Sequence, residues 1–330
     1  MSEQIQDIMQ KQKTNPVSQL SSALKHVNIS NSNMDTLPSD VRFDINGDTS
    51  IMETNRNSDE NDENTTNSTD ITGQLSRITN FFQNQPMDGY TLFSHRSAPN
   101  GYKVAIVLSE LQLKYNTFFL DFTKNEHRAP EFIAMNPNAR VPALIDHGLD
   151  NLALWESGAI LLHLVNKNLK ETGKSTLWSE ELVEQSQITS WIFFQTSGHA
   201  PMIGQALHFK YFHTQKIESA IDRYTNEVRR VYSVVEMALA ERREALVMEL
   251  DVDNAPAYSS GTTPLSQSKF FDYPIWLVGD KITIADICFV PWNNVVDRVG
   301  INIKVEFPEV YKWTKNMMRR PAVNKAFRGE

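Results

Sequence analysis

The 330-residue sequence has very little cysteine: Cys288 is the only one, so no disulfide can form within the chain. A chain without a disulfide framework is typical of a reducing compartment. Long hydrophobic runs are also lacking, since no stretch reaches the ~18 apolar residues that a membrane helix needs. The first residues are polar and lack the apolar segment of a secretory signal, MSEQIQDIMQKQK. We therefore expect a cytoplasmic protein with no membrane partner.

Aromatic residues and positive charge are scarce in the first quarter of the chain. All six Trp and all nine Tyr lie at or beyond Tyr90. Residues 1–86 carry twelve acidic and six basic side chains, so most of the net charge of −8 falls there. The remaining residues are close to neutral and contain no basic stripe, which argues against a direct nucleic-acid partner.

Residues 28–70 are rich in Asn, Ser, Thr and Asp, and Phe43 is their only aromatic residue. Such a segment cannot bury enough apolar area to offset the entropy of ordering. We therefore expect residues 1–86 to form a disordered extension. Two interpretations of this segment stay open: a solvated tail and a prion-like tract. Prion-like assembly requires in-register stacking of strands, which repulsion between the acidic groups opposes.

From residue 87 the pattern changes to strands and helices in the order β-α-β-α-β-β-α over about eighty residues, which predicts a mainly parallel sheet. After about Lys174 the apolar spacing is helical throughout. We expect an α/β half over residues 87–170 and an all-α half over residues 171–330. Residues 249–274 are rich in Pro, Ser and Thr without a period, and they predict a long loop.

A polar loop, SAPNGYK, leads from the first strand into a helix at residues 97–103. Backbone N–H groups and the dipole at a helix start favour an anion or a thiolate. The loop offers the side chains of Ser97 and Asn100 to such a group.

Two further motifs have both a structural and a functional interpretation. Pro142 in ARVPAL is either a plain turn proline or a cis proline that presents the backbone of Val141 to an extended ligand. Glu156 and Ser157 in WESGAI are either a helix cap with an acid beside it, or a site for the carboxylate and ammonium groups of an amino acid.

Other polar residues favour structural roles. Thr283 and Asp286 have the spacing of a capping box, and Cys288 follows on the same apolar helix as a packing residue. The eight histidines show no metal-binding spacing, so no metal site is expected. His127 lies in a polar loop, where it is either a ligand contact or a plain surface residue.

In order along the chain, these motifs resemble a cytosolic glutathione S-transferase over residues 88–330. The resemblance rests on SAPNGYK, ARVPAL, WESGAI, TIADI and FPEVYKWTKNMMRRPAV. It implies a thioredoxin-like α/β half, an all-α half, a homodimer and glutathione as the bound cofactor.

The resemblance also implies roles for single residues. Glu156 and Ser157 would hold the γ-glutamyl end of glutathione, and Val141 would pair with its cysteinyl backbone with Arg140 adjoining. His127 would contact the glycyl end. Asn100 would lie near the sulfur, where the family usually has Tyr, Ser or Cys. No residue is assigned as a certain catalytic group.

Within the family, motifs such as QTSGHAPMIGQALHF and VPWNNVVDRVGINIK are similar to a branch of transferase-like regulators of nitrogen catabolite repression with prion behaviour. This implies that the chain retains a GATA-type zinc-finger transcription factor in the cytoplasm, with glutathione-dependent peroxidase activity. Residues 249–274 resemble a cap insertion of that branch. The extension departs from the branch because it is short and lacks long Asn or Gln runs.

Three hypotheses follow. The chain is a regulatory binding protein with a retained glutathione site, a working detoxification transferase, or an assembly domain of the kind found in translation complexes. Asn100 in place of a catalytic Tyr or Cys favours the first, because an amide activates a thiol only weakly, by about 1 kcal/mol.

Overall fold

The computed structural model describes residues 76–329, and the predicted prion-like or solvated tract lies outside these residues. The strands are β1 Tyr90–Ser94, β2 Tyr115–Phe119, β3 Ala143–Asp146 and β4 Leu152–Trp155. The first half contains the helices α1 Arg77–Gln83, α2 Pro99–Glu110, α3 Pro130–Met135 and α4 Ser157–Thr172. The second half contains α5 Leu182–Phe194, α6 Ala200–Leu207, α7 Glu218–Leu250, α8 Ala255–Ser259, α9 Ile284–Ile287, α10 Val290–Asn293, α11 Ile303–Glu306, α12 Pro308–Met318 and α13 Pro321–Arg328.

The four strands form one mixed sheet in the order β2-β1-β3-β4. Only β1 and β2 are parallel, while β1–β3 and β3–β4 are antiparallel, so the prediction of a mainly parallel sheet is wrong. The reason is the connection length: α2 crosses over between β1 and β2, whereas residues 147–151 form a short link that can join only antiparallel neighbours. The predicted fold class, a thioredoxin-like α/β half followed by an all-α half, is confirmed.

Both faces of the sheet are covered. On β1, Tyr90 and Leu92 belong to the large core shared with α2, α4 and the helical half, whereas Phe93 belongs to a second cluster on the opposite face. This alternation is the two-residue period of a strand.

Helix α1 lies inside the segment that the sequence assigned to the disordered extension, so that boundary at residue 86 is too late. Ile78 is buried against Phe93 and Phe132, and the rings of Phe81 and Phe82 pack on the same cluster. The Ser76 hydroxyl caps the helix by accepting a hydrogen bond from the Thr79 N–H. These apolar residues are three and four positions apart, which is the spacing of one helix face.

A bidentate ion pair fixes α1 to the loop after β2. The Arg77 guanidinium donates to both carboxylate oxygens of Glu126, at 3.1 and 2.6 Å. Glu126 is nearly buried and also accepts the N–H of Asp121 at 2.7 Å. Bidentate charged pairs of this kind add geometric specificity as well as energy.

Helix α2 lies between the sheet and the helical half. Residues 104–108 are all buried, and the helix contacts β1 and α4 on one side and α10 and α13 on the other. A Cβ atom at Gly101 would lie 1.9 Å from the Ser94 hydroxyl oxygen, so the close approach of α2 to β1 requires glycine there. At the other end of the helix, Glu110 accepts two hydrogen bonds from Arg320, at 2.5 and 2.7 Å.

The segment predicted as a loop at residues 249–274 has more structure than expected. It begins inside α7 and contains α8, and the buried carboxylate of Asp251 organises it. Asp251 accepts hydrogen bonds from Tyr258, Ser268 and Asn254 at 2.7–2.8 Å. These side-chain hydrogen bonds order the segment, although its sequence has no hydrophobic period.

The predicted capping box is confirmed at the start of α9, where Thr283 and Asp286 bond each other's backbone. Asp286 also accepts from the N–H of Leu277 and from the Trp313 indole at 3.0 Å, so it joins three segments of the helical half. Cys288 is fully buried, and burial raises the pKa of its thiol, as expected for a packing residue. In the described part of the chain, no helix is both long and apolar enough to cross a membrane.

The buried position of Ile78 predicts that α1 stabilises the fold. Replacing Ile78 by Ala should lower the free energy of unfolding by about 2–5 kcal/mol, because it removes buried methyl groups and leaves a cavity. Met87→Ala is the matched control, since Met87 is 92% exposed. Its effect should stay within about 0.5 kcal/mol. Urea unfolding measures both changes, and equal midpoints for the two variants would contradict the assignment of α1 to the core.

Candidate functional site

An open cavity of about 200 Å³ lies where the starts of α2 and α4 meet the helical half. Both halves of the chain contribute to it. Its lining residues are Asn100, Lys103, Arg140, Glu156, Ser157, Thr196, Ala200, Pro201, Gly204, Gln205 and Trp292. Four of the residues predicted from the sequence, Asn100, Arg140, Glu156 and Ser157, are thereby brought together.

The start of α4 forms one wall of the cavity. Ser157 is buried and is the first residue of the helix, so it does not cap the helix as the structural interpretation expected. Glu156 occupies the cap position, and within residues 76–329 no side chain caps this helix. The N–H groups of the first turn can therefore accommodate an acceptor from outside the chain, and the helix dipole favours a carboxylate.

The backbone of Glu156 is in an unusual conformation. Its φ is +67°, in the region that L residues rarely adopt, and its side chain is exposed. Such a backbone costs of order 1–3 kcal/mol and persists where the surrounding structure requires it, often at functional sites. The turn places a carboxylate next to a helix N-terminus, which is an arrangement that fits the ammonium and carboxylate groups of one amino-acid end.

The loop before β3 forms the next part of the site. The Val141–Pro142 peptide bond is cis, which is one of the two conformations left open by the sequence. The buried amide of Asn136 holds this loop by donating to the carbonyl of Arg140 at 2.7 Å and accepting the N–H of Asn138 at 3.0 Å. The side chain of Arg140 thereby lines the cavity as a cation.

Asn100 is fixed from across the boundary between the two halves. The Trp292 indole N–H donates to the Asn100 Oδ1 atom at 2.9 Å. An indole nitrogen can only donate a hydrogen bond. The Asn100 side chain is therefore oriented with its amide oxygen toward Trp292. The amide NH₂ group remains the part of Asn100 that can donate to a ligand in the cavity.

Lys103 is a cavity-lining residue that the sequence motifs did not identify. It lies one turn after Asn100 and is only 1% exposed. Its Nζ atom donates to Gln195 Oε1 at 2.5 Å and lies 3.4 Å from the Ser157 hydroxyl oxygen. Burial lowers the pKa of Lys103 to about 8, against smaller opposing effects of Cys288 and Glu156. The signal in the sequence was a lysine directly before five apolar residues, VAIVL.

Gln195 belongs to a π-helical turn, Gln195–His199, that joins α5 to α6. Such turns often occur at functional sites. The turn brings Gln195 into contact with Lys103 and His199 into contact with Gln195. The Gln195 Nε2 and His199 Nδ1 atoms are 3.2 Å apart. Burial, followed by the charge of Lys103, lowers the pKa of His199 to about 3, so its imidazole is neutral.

Other predicted residues lie outside the cavity lining. His127 is buried, not on the surface, and its ring packs edge-on against Phe122. Val141 is half-buried beside the cis proline. The Ser97 hydroxyl lies 2.9 Å from the His95 Nδ1 atom, so the loop serine is used within the loop itself.

Comparisons with known proteins agree with this architecture. Residues 88–166 match the family model for the glutathione S-transferase N-terminal domain, and residues 199–321 match the one for the C-terminal domain. Over 257 residues, the chain is 80% identical to Protein URE2 of Candida glabrata, covering 78% of this chain and 72% of the relative. Over 257 residues it is 79% identical to Transcriptional regulator URE2 of Saccharomyces cerevisiae, covering 78% of this chain and 73% of the relative.

A solved structure of a relative contains a ligand. The structure of Ure2p in complex with glutathione is 80% identical in sequence, covers 77% of this chain and 100% of its own, and superposes with a TM-score of 0.76.

Proposed function

Because this chain belongs to the glutathione S-transferase family, and within it to the Ure2 proteins, we propose that it is a glutathione-binding regulator of transcription. The observation that carries the proposal is the cavity between the two halves, whose lining carries charges of both signs, as glutathione does. At neutral pH glutathione has two carboxylates and one ammonium group. The lining offers two cations, Lys103 and Arg140, and one anion, Glu156.

In the proposed complex, the γ-glutamyl carboxylate accepts hydrogen bonds from Ser157 and the first N–H groups of α4. Its ammonium group pairs with Glu156. The cysteinyl backbone pairs with Val141 beside the cis proline, and Arg140 adjoins it. The glycyl end is assigned to His127, which lies beyond the lining of the cavity.

The thiol of the bound glutathione would lie near Asn100. An amide N–H is a neutral donor worth about 1 kcal/mol, which lowers the thiol pKa by less than one unit. Thiol activation is therefore weak, and we propose little or no transferase activity. The proposed enzymatic activity is peroxide reduction, in which two glutathione thiols are oxidised to the disulfide while an organic hydroperoxide is reduced to an alcohol and one water, or hydrogen peroxide to two waters.

The proposed regulatory partner is a GATA-type zinc-finger transcription factor that the protein retains in the cytoplasm. The similarity to a transcriptional regulator supports this role. The retained cavity would then make the regulator a sensor of glutathione as well.

We also propose a homodimer. Strand β4 and helix α5 carry several large apolar side chains that are 40–75% exposed in the single chain: Leu152, Trp155, Leu182, Val183 and Phe193. Exposed apolar area of this extent is typical of a protein interface.

Glu156→Gln tests the ligand site. It keeps the size of the side chain but removes the charge that pairs with the ammonium group, so glutathione should bind more weakly by about 1.5–3 kcal/mol. Titration calorimetry measures the affinity, and peroxide reduction at low glutathione should fall in proportion. Glu171→Gln, a 57% exposed glutamate near the other end of α4, is the control. Unchanged affinity in Glu156→Gln would remove this residue from the site.

Capture of partners from host-cell extract tests the regulatory role. The full chain and a form that begins at residue 76 should both retain a GATA-type factor, identified by mass spectrometry. Absence of the factor from both captures, in an extract that contains it, would contradict retention. Strong conjugation of a chlorinated aromatic substrate at neutral pH would instead favour a detoxifying transferase, and recovery of translation factors would favour an assembly domain.

Phe193→Asp tests the dimer. A charge at this 62% exposed position should shift the protein from dimer to monomer in sedimentation velocity, because an unpaired charge is costly in an apolar interface. Met87→Asp, at an exposed residue outside β4 and α5, should leave the dimer intact. A Phe193→Asp protein that remains a dimer would place the interface elsewhere.

A further inference from the structure

The ammonium group of Lys103 is buried without a carboxylate beside it. Among the described residues, its hydrogen-bond acceptors are the neutral oxygens of Gln195 and Ser157, and the carboxylate of Glu156 acts on it through its charge, without a hydrogen bond. A buried charge that has only neutral partners is expensive. An anion that binds in the cavity near Lys103 would therefore gain more binding free energy than an anion beside uncharged residues.

A chain of directional hydrogen bonds explains why Gln195 presents its oxygen to Lys103. The Asn293 Nδ2 group donates to Thr314 at 2.8 Å, so the Oδ1 atom of Asn293 must be the acceptor for Tyr232 at 2.7 Å. His199 Nε2 lies 3.2 Å from the same oxygen and donates to it. The neutral ring then accepts from Gln195 through Nδ1, and the Gln195 oxygen is left for Lys103.

This network reaches from the cavity into helices α7, α10 and α12 and contains no negative charge. It orients Lys103 but does not neutralise it. The Ser157 hydroxyl lies on the other side of Lys103, at the start of α4. The positive charge is therefore held at the wall where a carboxylate would bind the helix N-terminus.

We propose that Lys103 is a positioning residue for the γ-glutamyl carboxylate of glutathione: it holds the Ser157 hydroxyl and provides the positive charge that this carboxylate requires. The inference rests on the proposed glutathione site and names a residue that the sequence motifs do not include.

The proposal has a consequence for pH. Without ligand, Lys103 loses its proton at about pH 8, since burial lowers its pKa. A bound carboxylate favours the charged amine and raises that pKa, so glutathione binding takes up protons above about pH 8 and weakens as pH rises. The other titratable or charged groups around Lys103 are Glu156, Cys288, His199 and Arg140. Of these, His199 is neutral and the Cys288 thiol stays protonated across this range.

The experiment measures the binding of S-methylglutathione to the full chain, because this thioether has no thiol proton. Titration calorimetry between about pH 7 and pH 9.5, in buffers of different ionisation enthalpy, gives both the affinity and the number of protons taken up. The amino group of the ligand titrates in every protein variant, so the difference between variants reports Lys103.

In Lys103→Met, affinity near pH 7 should fall roughly tenfold or more, as expected for a lost hydrogen bond to a charged group. Proton uptake above pH 8 should be smaller than in the unaltered protein, and the two affinities should converge near pH 9.5. Lys210→Met is the matched control, because burial lowers the pKa of Lys210 as it does that of Lys103, and Lys210 lies in the turn His208–Phe212, outside the cavity lining. It should leave affinity and proton uptake unchanged.

A merely structural role predicts the same loss at every pH and the same proton uptake, and that result would overturn the proposal. If Lys103→Met fails to fold, Gln195→Glu is the second test. Its carboxylate should keep Lys103 charged, reduce proton uptake near pH 8.5 to the part that comes from the ligand's amino group, and weaken binding at pH 7. Unchanged uptake in Gln195→Glu would also overturn the proposal. An unaltered protein that does not bind S-methylglutathione at pH 7 would overturn the proposed glutathione site together with this inference.

Discussion

The packing of helix α2 between the sheet and the helical half is the constraint on which the rest of the structure depends. Its residues 104–108 are buried on both sides, so the helix cannot rotate without exposing apolar area. Protein interiors are close-packed, and small rotations are therefore costly. Because residues three apart lie on one helix face, this fixed rotation turns Asn100 and Lys103 toward the same cavity.

The ligand cavity is consequently a property of both halves together. Trp292 fixes Asn100, and Gln195 fixes Lys103, in each case across the boundary between the sheet and the helical half. The sheet half contributes the cis proline and the start of α4, which present backbone groups and charge. A change in the helical half can therefore alter the cavity through these two hydrogen bonds without touching a ligand directly.

Much of this site follows from local sequence signals. A strand, a polar turn and an apolar helix predict where Glu156, Ser157 and Asn100 lie, because a helix start requires few distant contacts. Lys103 and Gln195 could not be paired in this way, since they are 92 positions apart and their contact depends on a π-helical turn. The sequence did not predict helix α1 for another reason. The residues before it are polar and its apolar pattern is short, and the helix is stable because it packs on a face of the sheet.

The contact between α2 and α13 also sets an order of events during synthesis. Glu110 and Arg320 are 210 positions apart, and α13 covers α2 from the far end of the chain. A ribosome adds about 5–20 residues per second. The surface of α2 that α13 covers therefore remains exposed for roughly ten seconds or longer after α2 has been translated. Contacts of such high sequence separation slow folding, and the apolar surface is open to chaperones or to aggregation in that interval. The sheet half is thus completed only after the helical half has been translated.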